Sequence, residues 1–263
     1  MKTQAMIRQS PCISIFALLI LTSFTCEADI VLVSPQTVTA SSTDPNYAIS
    51  NLVNSSSLVT SLGGPGEVVV IDNNDDYPEH VFELRDVGGA FGGTGYMPNP
   101  EYAWRTDGYT EVLVAEWIRF TFNTDPGSGG NTDGYDLDGF HIWNNYDWHY
   151  GQSLEWRGIA SCEVWYSTDH GTNWEQAESV TMLPAPTIVL EGDLPTNAHY
   201  VGDTVEFGDA LYSITDLEFR NAVMFPNGDW AVGMNEIRFI VVPEPGVVML
   251  IMLGLLSAGL RRG

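Results

Sequence analysis

Between residues 29 and 242 the hydrophobic positions recur in short runs, not along the one-sided stripe of a helix. The runs are Asp29–Val33, Glu67–Ile71, His80–Leu84, Glu116–Phe122, Leu137–Trp143, Cys162–Ser167, Ser179–Met182, Thr187–Leu190, Leu217–Val223 and Asn235–Val242. Many are rich in Val, Ile, Phe, Tyr and Trp, and clusters of Gly, Asn, Asp and Pro divide them. Strand side chains point alternately to two faces, and β-branched and aromatic residues suit that surface. Such runs between turn formers predict an all-β sandwich or barrel. In Glu116–Phe122 the alternation is plain: Ile118, Phe120 and Phe122 share one phase and Trp117 takes the other. No repeat of fixed period is present.

The two ends follow another pattern. Lys2 and Arg8 precede the apolar run Ile13–Leu21, and Cys26-Glu27-Ala28 fits a small-x-small cleavage site. This predicts a secretory signal peptide over residues 1–28. Its apolar run is shorter than the roughly 20 residues of a membrane span. Lipoprotein processing at Cys26 is the other reading of this leader, against which Phe24 is bulky. At the far end, Val242-Pro243-Glu244-Pro245 leads into the apolar run Val247–Leu260 and then Arg261-Arg262-Gly263. At about 1.5 Å per residue such a helix falls short of a ~30 Å hydrocarbon core, yet it can lodge there. The arginines would stay on the cytoplasmic side.

This tail resembles the PEP-CTERM sorting signal of Gram-negative bacteria, with Pro243, Glu244, Pro245, Arg261 and Arg262 at the motif positions. The resemblance implies export through signal peptidase and transient membrane contact by the C-terminal helix. It also implies removal of the tail by an exosortase, and residence at the cell surface or in the extracellular matrix. An ordinary C-terminal anchor is the alternative.

Composition sharpens this picture. The 263 residues include 34 acids against 10 bases, a net charge of −24, which repels phosphate backbones and excludes nucleic acid as a partner. Cation binding, salty surroundings or plain solubility all account for the excess of acid. With 44% hydrophobic residues and 8 Trp, 11 Tyr and 11 Phe, the chain can build a core. Cys12 and Cys26 fall in the leader, so Cys162 has no partner for an internal disulfide. No neighbouring histidine activates it, and a buried structural thiol is expected.

Several segments resemble, in order, the discoidin domain (coagulation factor 5/8 type C). They are Val38–Ser42, Tyr47–Asn54, Glu116–Phe122, Leu137–Asn144, the hairpin Val164–Trp174 and the closing Val232–Phe239. The resemblance implies one galactose-binding-like jelly-roll β-sandwich over residues 29–242, with ligands bound by loops at one end. The stretch Ser55–Ala115 is longer than the family's usual link and reads as an insertion. Many such domains hold one structural calcium ion between the opening loop and the closing strand. Carried over, its ligands would be Asn51, Asn54 and Glu236 with backbone carbonyls, since calcium takes six to eight oxygens. Asn54 stands where the family usually has Asp. A capping or hydrogen-bonding role is the other reading of Glu236. The acidic runs Asp72–Asp76 and Asp133–Gly139 lack EF-hand spacing and read as turns.

The loop Asn144–Gln152 brings aromatics, amides and a histidine together, and Arg157 follows it. Sugars are held by stacking on their apolar faces and by polar groups on their hydroxyls. Asn145, Trp148, His149 and Arg157 are therefore candidate ligand contacts, with Trp230 on the turn Pro226–Trp230 as a further one. The alternative is that the aromatics pack beneath the loop. Catalysis has less to stand on. His80, His141, His149, His170 and His199 form no metal-binding motif, and no Gly-x-Ser-x-Gly elbow occurs. The acids are too many to single out a glycosidase pair. The expected function is a non-catalytic exported protein that binds extracellular polysaccharide. A structural matrix component without a defined ligand, or a divergent polysaccharide hydrolase, are the alternatives.

Overall fold

In this computed structural model the structure describes residues 29–43, 48–55, 58, 60–71, 77–81, 84–86, 96–98, 104–105, 117–125, 127, 130–145, 148–149, 152–153, 157–185, 190–191, 194–195, 199–225 and 232–242. The leader, Asp72–Asp76, Trp230 and the tail bearing Pro243, Glu244, Pro245, Arg261 and Arg262 lie outside them.

The first half carries strands β1 (Ile30–Val33), β2 (Thr37–Ala40), β3 (Val68–Ile71), β4 (His80–Val81), β5 (Leu84–Asp86), β6 (Tyr96–Pro98), β7 (Trp104–Arg105), β8 (Trp117–Thr121) and β9 (Tyr135–Asn144). Next come β10 (Trp148–His149), β11 (Gln152–Ser153), β12 (Ile159–Ser167), β13 (Glu175–Thr181), β14 (Leu190–Glu191), β15 (Leu194–Pro195) and β16 (His199–Tyr200). The long strands β17 (Asp203–Ile214), β18 (Asp216–Met224) and β19 (Gly233–Val241) close the fold. A 3-10 turn spans Ile49–Val53.

The expected all-β sandwich is present as two antiparallel sheets. One runs β17-β9-β19-β1-β3, with β7 also on β19; the other runs β13-β12-β18-β8-β2. Alternation decides which side chains meet between them. Phe140 and Phe239 of the first sheet interlock with Phe120 and Phe219 of the second, at centroid distances of 5.0 Å for Phe140–Phe219 and 5.2 Å for Phe120–Phe239. All four are fully buried, each worth about 1.5–3 kcal/mol in burial. Gly139 is required mid-strand, because a Cβ there would sit 2.2 Å from the Val205 carbonyl oxygen on β17.

The first sheet is covered on its outer face too. Leu32 and Trp143 point away from the phenylalanine core and pack with Leu58, Leu62, Ile71 and Tyr200 as a second cluster. The described parts of the Ser55–Ala115 stretch thus pair and pack with the rest of the fold. Its β3 pairs with β1, its β4 with β16, and its β7 with β19. Aromatic contacts lock it down. Tyr77 stacks on His141 at 3.6 Å, and the Trp143 indole N–H donates to the Pro78 carbonyl at 3.0 Å.

In the run His80–Leu84 the described residues belong to β4 and β5, which pair with β16 and β6 respectively. The longest strand, β17, was not expected at all. Two register shifts break its pairing with β9, so its buried residues fall at Phe207, Leu211 and Ile214. Spacings of four and three hide a bulged strand from a search for alternation.

Candidate functional site

Antiparallel pairing brings three connections to one end of the sandwich. β9 ends at Asn144 where β12 begins at Ile159; Thr181 and Asp203 bound the second connection; Met224 and Gly233 bound the third. A bridge between Gly158 and Gly233 ties the first connection to the third. The candidates Asn145, Trp148, His149 and Arg157 all belong to this end. Trp148 and His149 form β10, paired with β11 as Trp148↔Ser153 and His149↔Gln152.

Asn144 fixes the base of this end. Its amide nitrogen donates to the carbonyls of Ile159 at 2.8 Å and Leu183 at 3.0 Å. Its amide oxygen accepts from the backbone N–H of Ile159 and of Asn145. Asn145 and Arg157 are buried at this end, at 1% and 6% exposure. Beside them opens a groove of about 150 Å³, lined by Ile142, Asn144, Leu183, Pro184, Tyr200 and Asp203 among others. Leu183 is 64% exposed at its rim. The Asp203 carboxylate accepts from the Leu183 N–H at 3.0 Å, and the Tyr200 hydroxyl donates to the Asn144 carbonyl. Leu183, Tyr200 and Asp203 were missed in the sequence. The apolar Leu183-Pro184-Ala185-Pro186 stretch was the one local sign of them.

The expected calcium ligands meet elsewhere, on the covered face of the first sheet. Asn51 is buried on the 3-10 turn, Asn54 is exposed after it, and the Asn54 amide donates to the Asn51 side-chain oxygen at 3.4 Å. Glu236 is fully buried and ion-paired with Arg238, which is also fully buried. The Arg238 guanidinium donates further to the Ser55 hydroxyl at 2.5 Å and the Ile237 carbonyl at 2.7 Å. It reaches the carbonyls of Leu52 and Val53 at 3.4 Å and of Gly63 at 3.3 Å. Burial raises the Glu236 carboxyl to about 7, with the Arg238 charge pulling the other way. These residues do not fit a calcium ion. One Glu236 carboxylate oxygen and the carbonyls of Leu52, Val53 and Gly63 already hold a guanidinium, and a divalent cation beside Glu236 would meet that charge at contact range. Among the described residues no group of three or more His, Cys, Asp or Glu could hold a metal.

The second sheet keeps its outer face open. There Arg119 and Arg220 both pair with the buried Glu218, at 2.5 and 2.6 Å. Arg119 lies over Trp117 and Trp174, and Arg220 over Trp165 and Trp174. The hairpin carrying Trp174 is built by Asp169, which accepts from the Asn173 backbone and side chain at 2.8 and 2.6 Å and from Ser167 at 2.8 Å. Those bonds hold its carboxyl at about 2. Of the Asp133–Gly139 run, only its start is a turn, where the Gly134 N–H donates to the Asn131 carbonyl at 3.1 Å; Tyr135–Gly139 already belong to β9.

Cys162 and His141 are both held in the interior. Cys162 is buried, and burial pushes its thiol well above the usual range. His141 is held by Thr204 at 2.8 Å on Nδ1 and by the Val201 carbonyl at 2.7 Å on Nε2, and burial lowers it to about 4. A carbonyl only accepts, so Nε2 carries the proton and the ring is neutral.

No protein-family profile matches the chain, and no curated protein does. Solved structures show weak likeness. The CBM32-3 module of a family 31 glycoside hydrolase from Clostridium perfringens is 13% identical, with TM-score 0.33, over 64% of this chain and 90% of that one. Chitosan-binding module 1 from a Paenibacillus sp. IK-5 chitosanase/glucanase is 13% identical, with TM-score 0.38, over 81% and 99%. An F5/8 type C domain from Bacteroides fragilis is 10% identical, with TM-score 0.34, over 78% and 89%.

Proposed function

We propose that this chain is an exported, non-catalytic surface or matrix protein whose sandwich binds extracellular polysaccharide at its loop end. The observation that carries the reading is the convergence of three connections on the Asn144 clamp, beside a groove with an apolar rim and a carboxylate. An exposed Leu183 beside Asp203 and backbone polar groups offers a sugar both kinds of contact it uses. At about 150 Å³ the groove is small. Drug-sized sites run to roughly 300–1,000 Å³, so one or two sugar units at the edge of a longer chain suit it better. Trp148 and His149 belong to the β10–β11 hairpin of the same end.

The leader over residues 1–28 and the Pro243-Glu244-Pro245 tail give the address: signal peptidase, then exosortase, then the surface or matrix of a Gram-negative cell. A glycan array probed with the purified protein tests the reading. Saturable binding to a polysaccharide is expected. Trp148→Ala and Leu183→Asp each weaken it by about tenfold or more, as central contacts do. Silence across a wide panel would sink the proposal and leave a structural matrix role. Turnover of a polysaccharide would replace it with a hydrolase.

A further inference from the structure

The geometry points to Arg238 as a built-in cation: its guanidinium fills the place between the opening loop and the closing strand where a structural calcium would sit, so the fold needs no metal there. Three observations carry this. First, the guanidinium gathers oxygens from both elements that a metal would join. Leu52, Val53 and Ser55 come from the opening loop, Gly63 from the following segment, and Glu236 from β19 itself. A guanidinium has five N–H donors in a rigid fork and is charged at every accessible pH, so it can bind several oxygens as an ion does. Second, the charges match a monovalent cation. Glu236 is the carboxylate that pairs with it, and Asn54, at the position where a second carboxylate would serve a divalent ion, contributes none. Third, Glu236 and Arg238 are both fully buried, which leaves no solvent to screen a second cation.

The arrangement joins the chain's beginning to its last strand through one side chain. A metal would do the same with an affinity set by the surrounding medium. A covalently attached cation cannot be stripped by chelators or diluted away.

The test uses the whole purified protein. Its melting temperature is measured in calcium and in EGTA, and terbium luminescence sensitised by Trp143, paired across the ladder from Glu236, is titrated. The expected result is the same Tm in both buffers, or a calcium-dependent rise that Glu236→Gln leaves intact because the ion then binds elsewhere. A site filled at about 100 times its Kd would raise Tm by several degrees. A rise of that size which Glu236→Gln abolishes would overturn the proposal. In Arg238→Ala the vacated oxygens should accept a cation, so low millimolar guanidinium or calcium restores part of the lost Tm in saturable fashion. Absence of rescue in a folded Arg238→Ala would also count against it. If that variant does not fold, the calcium and EGTA comparison on the unaltered protein still decides.

Discussion

The two sheets each carry a glutamate–arginine pairing on their outer face, and the faces differ in what lies over them. On the first sheet Ser55 and Gly63 lie against Arg238, and Glu236 and Arg238 have no exposure. On the second, Arg119 and Arg220 flank Glu218 with 36% and 29% of their side chains still in solvent. Both glutamates are buried; Glu218 is held by two partly exposed arginines and Glu236 by one buried arginine. Under the insertion, the pair has lost its hydration and depends on carbonyls and a hydroxyl to replace it. On the open face water screens the charges, and tryptophan rings supply the remaining contacts. The same two residue types therefore act as a structural bolt in one place and as surface finish in the other.

The largest effect should come from breaking the covered pair. Arg238→Met removes a buried cation and strands Glu236 with the carbonyls of Leu52, Val53 and Gly63. A loss of about 3–5 kcal/mol is expected, read as a lower urea midpoint. Restoring neutrality with Arg238→Met and Glu236→Leu together should recover part of it, because the stranded carboxyl is gone. A loss below about 1 kcal/mol in the single variant would put the two faces on a par and end the contrast.

The next effect is pH-dependent and belongs to the same covered face. His141 is lowered from 6.5 to about 4, chiefly by burial. The unfolded chain therefore binds the proton more readily. The stability that His141 lends is complete above pH 6.5 and is lost as pH falls through 6.5 towards 4, up to about 3 kcal/mol in all. Glu236 acts with the opposite sign. Its carboxyl is raised from 4.5 to about 7, so its contribution is complete below pH 4.5 and is lost as pH rises towards 7. The two partly cancel in the whole protein. The difference between the unaltered chain and His141→Gln, measured by urea melts from pH 4 to 7, isolates the histidine. It should shrink steadily as pH falls. A flat difference would mean that the ring is already protonated or solvated at neutral pH.

The covered face also marks where sequence reading stops. β8 is legible because one side of it meets the core and the other meets solvent, so Ile118 and Phe120 alternate with Trp117 and Arg119. The second half of β9 is buried on both faces for a reason that emerges only in three dimensions: Phe140 and Ile142 face the second sheet while Trp143 packs with Leu32, Leu58, Leu62 and Ile71. β17 hides behind its bulges. The loop end could be read as far as one connection reaches, which is why Asn145, Trp148, His149 and Arg157 came out together. The groove could not, because Ile142, Leu183 and Tyr200 come from segments that have no mutual pattern along the chain. Nor does anything near Arg238 in sequence say that it is buried, since most of the oxygens around it belong to residues 52–63.

The smallest effect belongs to the open face, and it sharpens the contrast by its size. Arg220 stacks over Trp165 at 4.4 Å and bonds Glu218 at 2.6 Å, yet it keeps contact with water. An exposed cation–π contact is worth about 0.5–1 kcal/mol and an exposed ion pair about the same or less. Arg220→Ala should therefore cost about 1 kcal/mol, and high salt should erase the ionic share but not the stacking share. A double-mutant cycle of Arg220→Ala with Trp165→Ala separates the two. A coupling of a few tenths of a kcal/mol that survives high salt is expected, since ring and guanidinium touch without depending on the carboxylate. Loss comparable to that of Arg238→Met would show that Glu218, at 3% exposure, is as dependent on its arginines as Glu236 is, and that coverage by the insertion is not what distinguishes the faces.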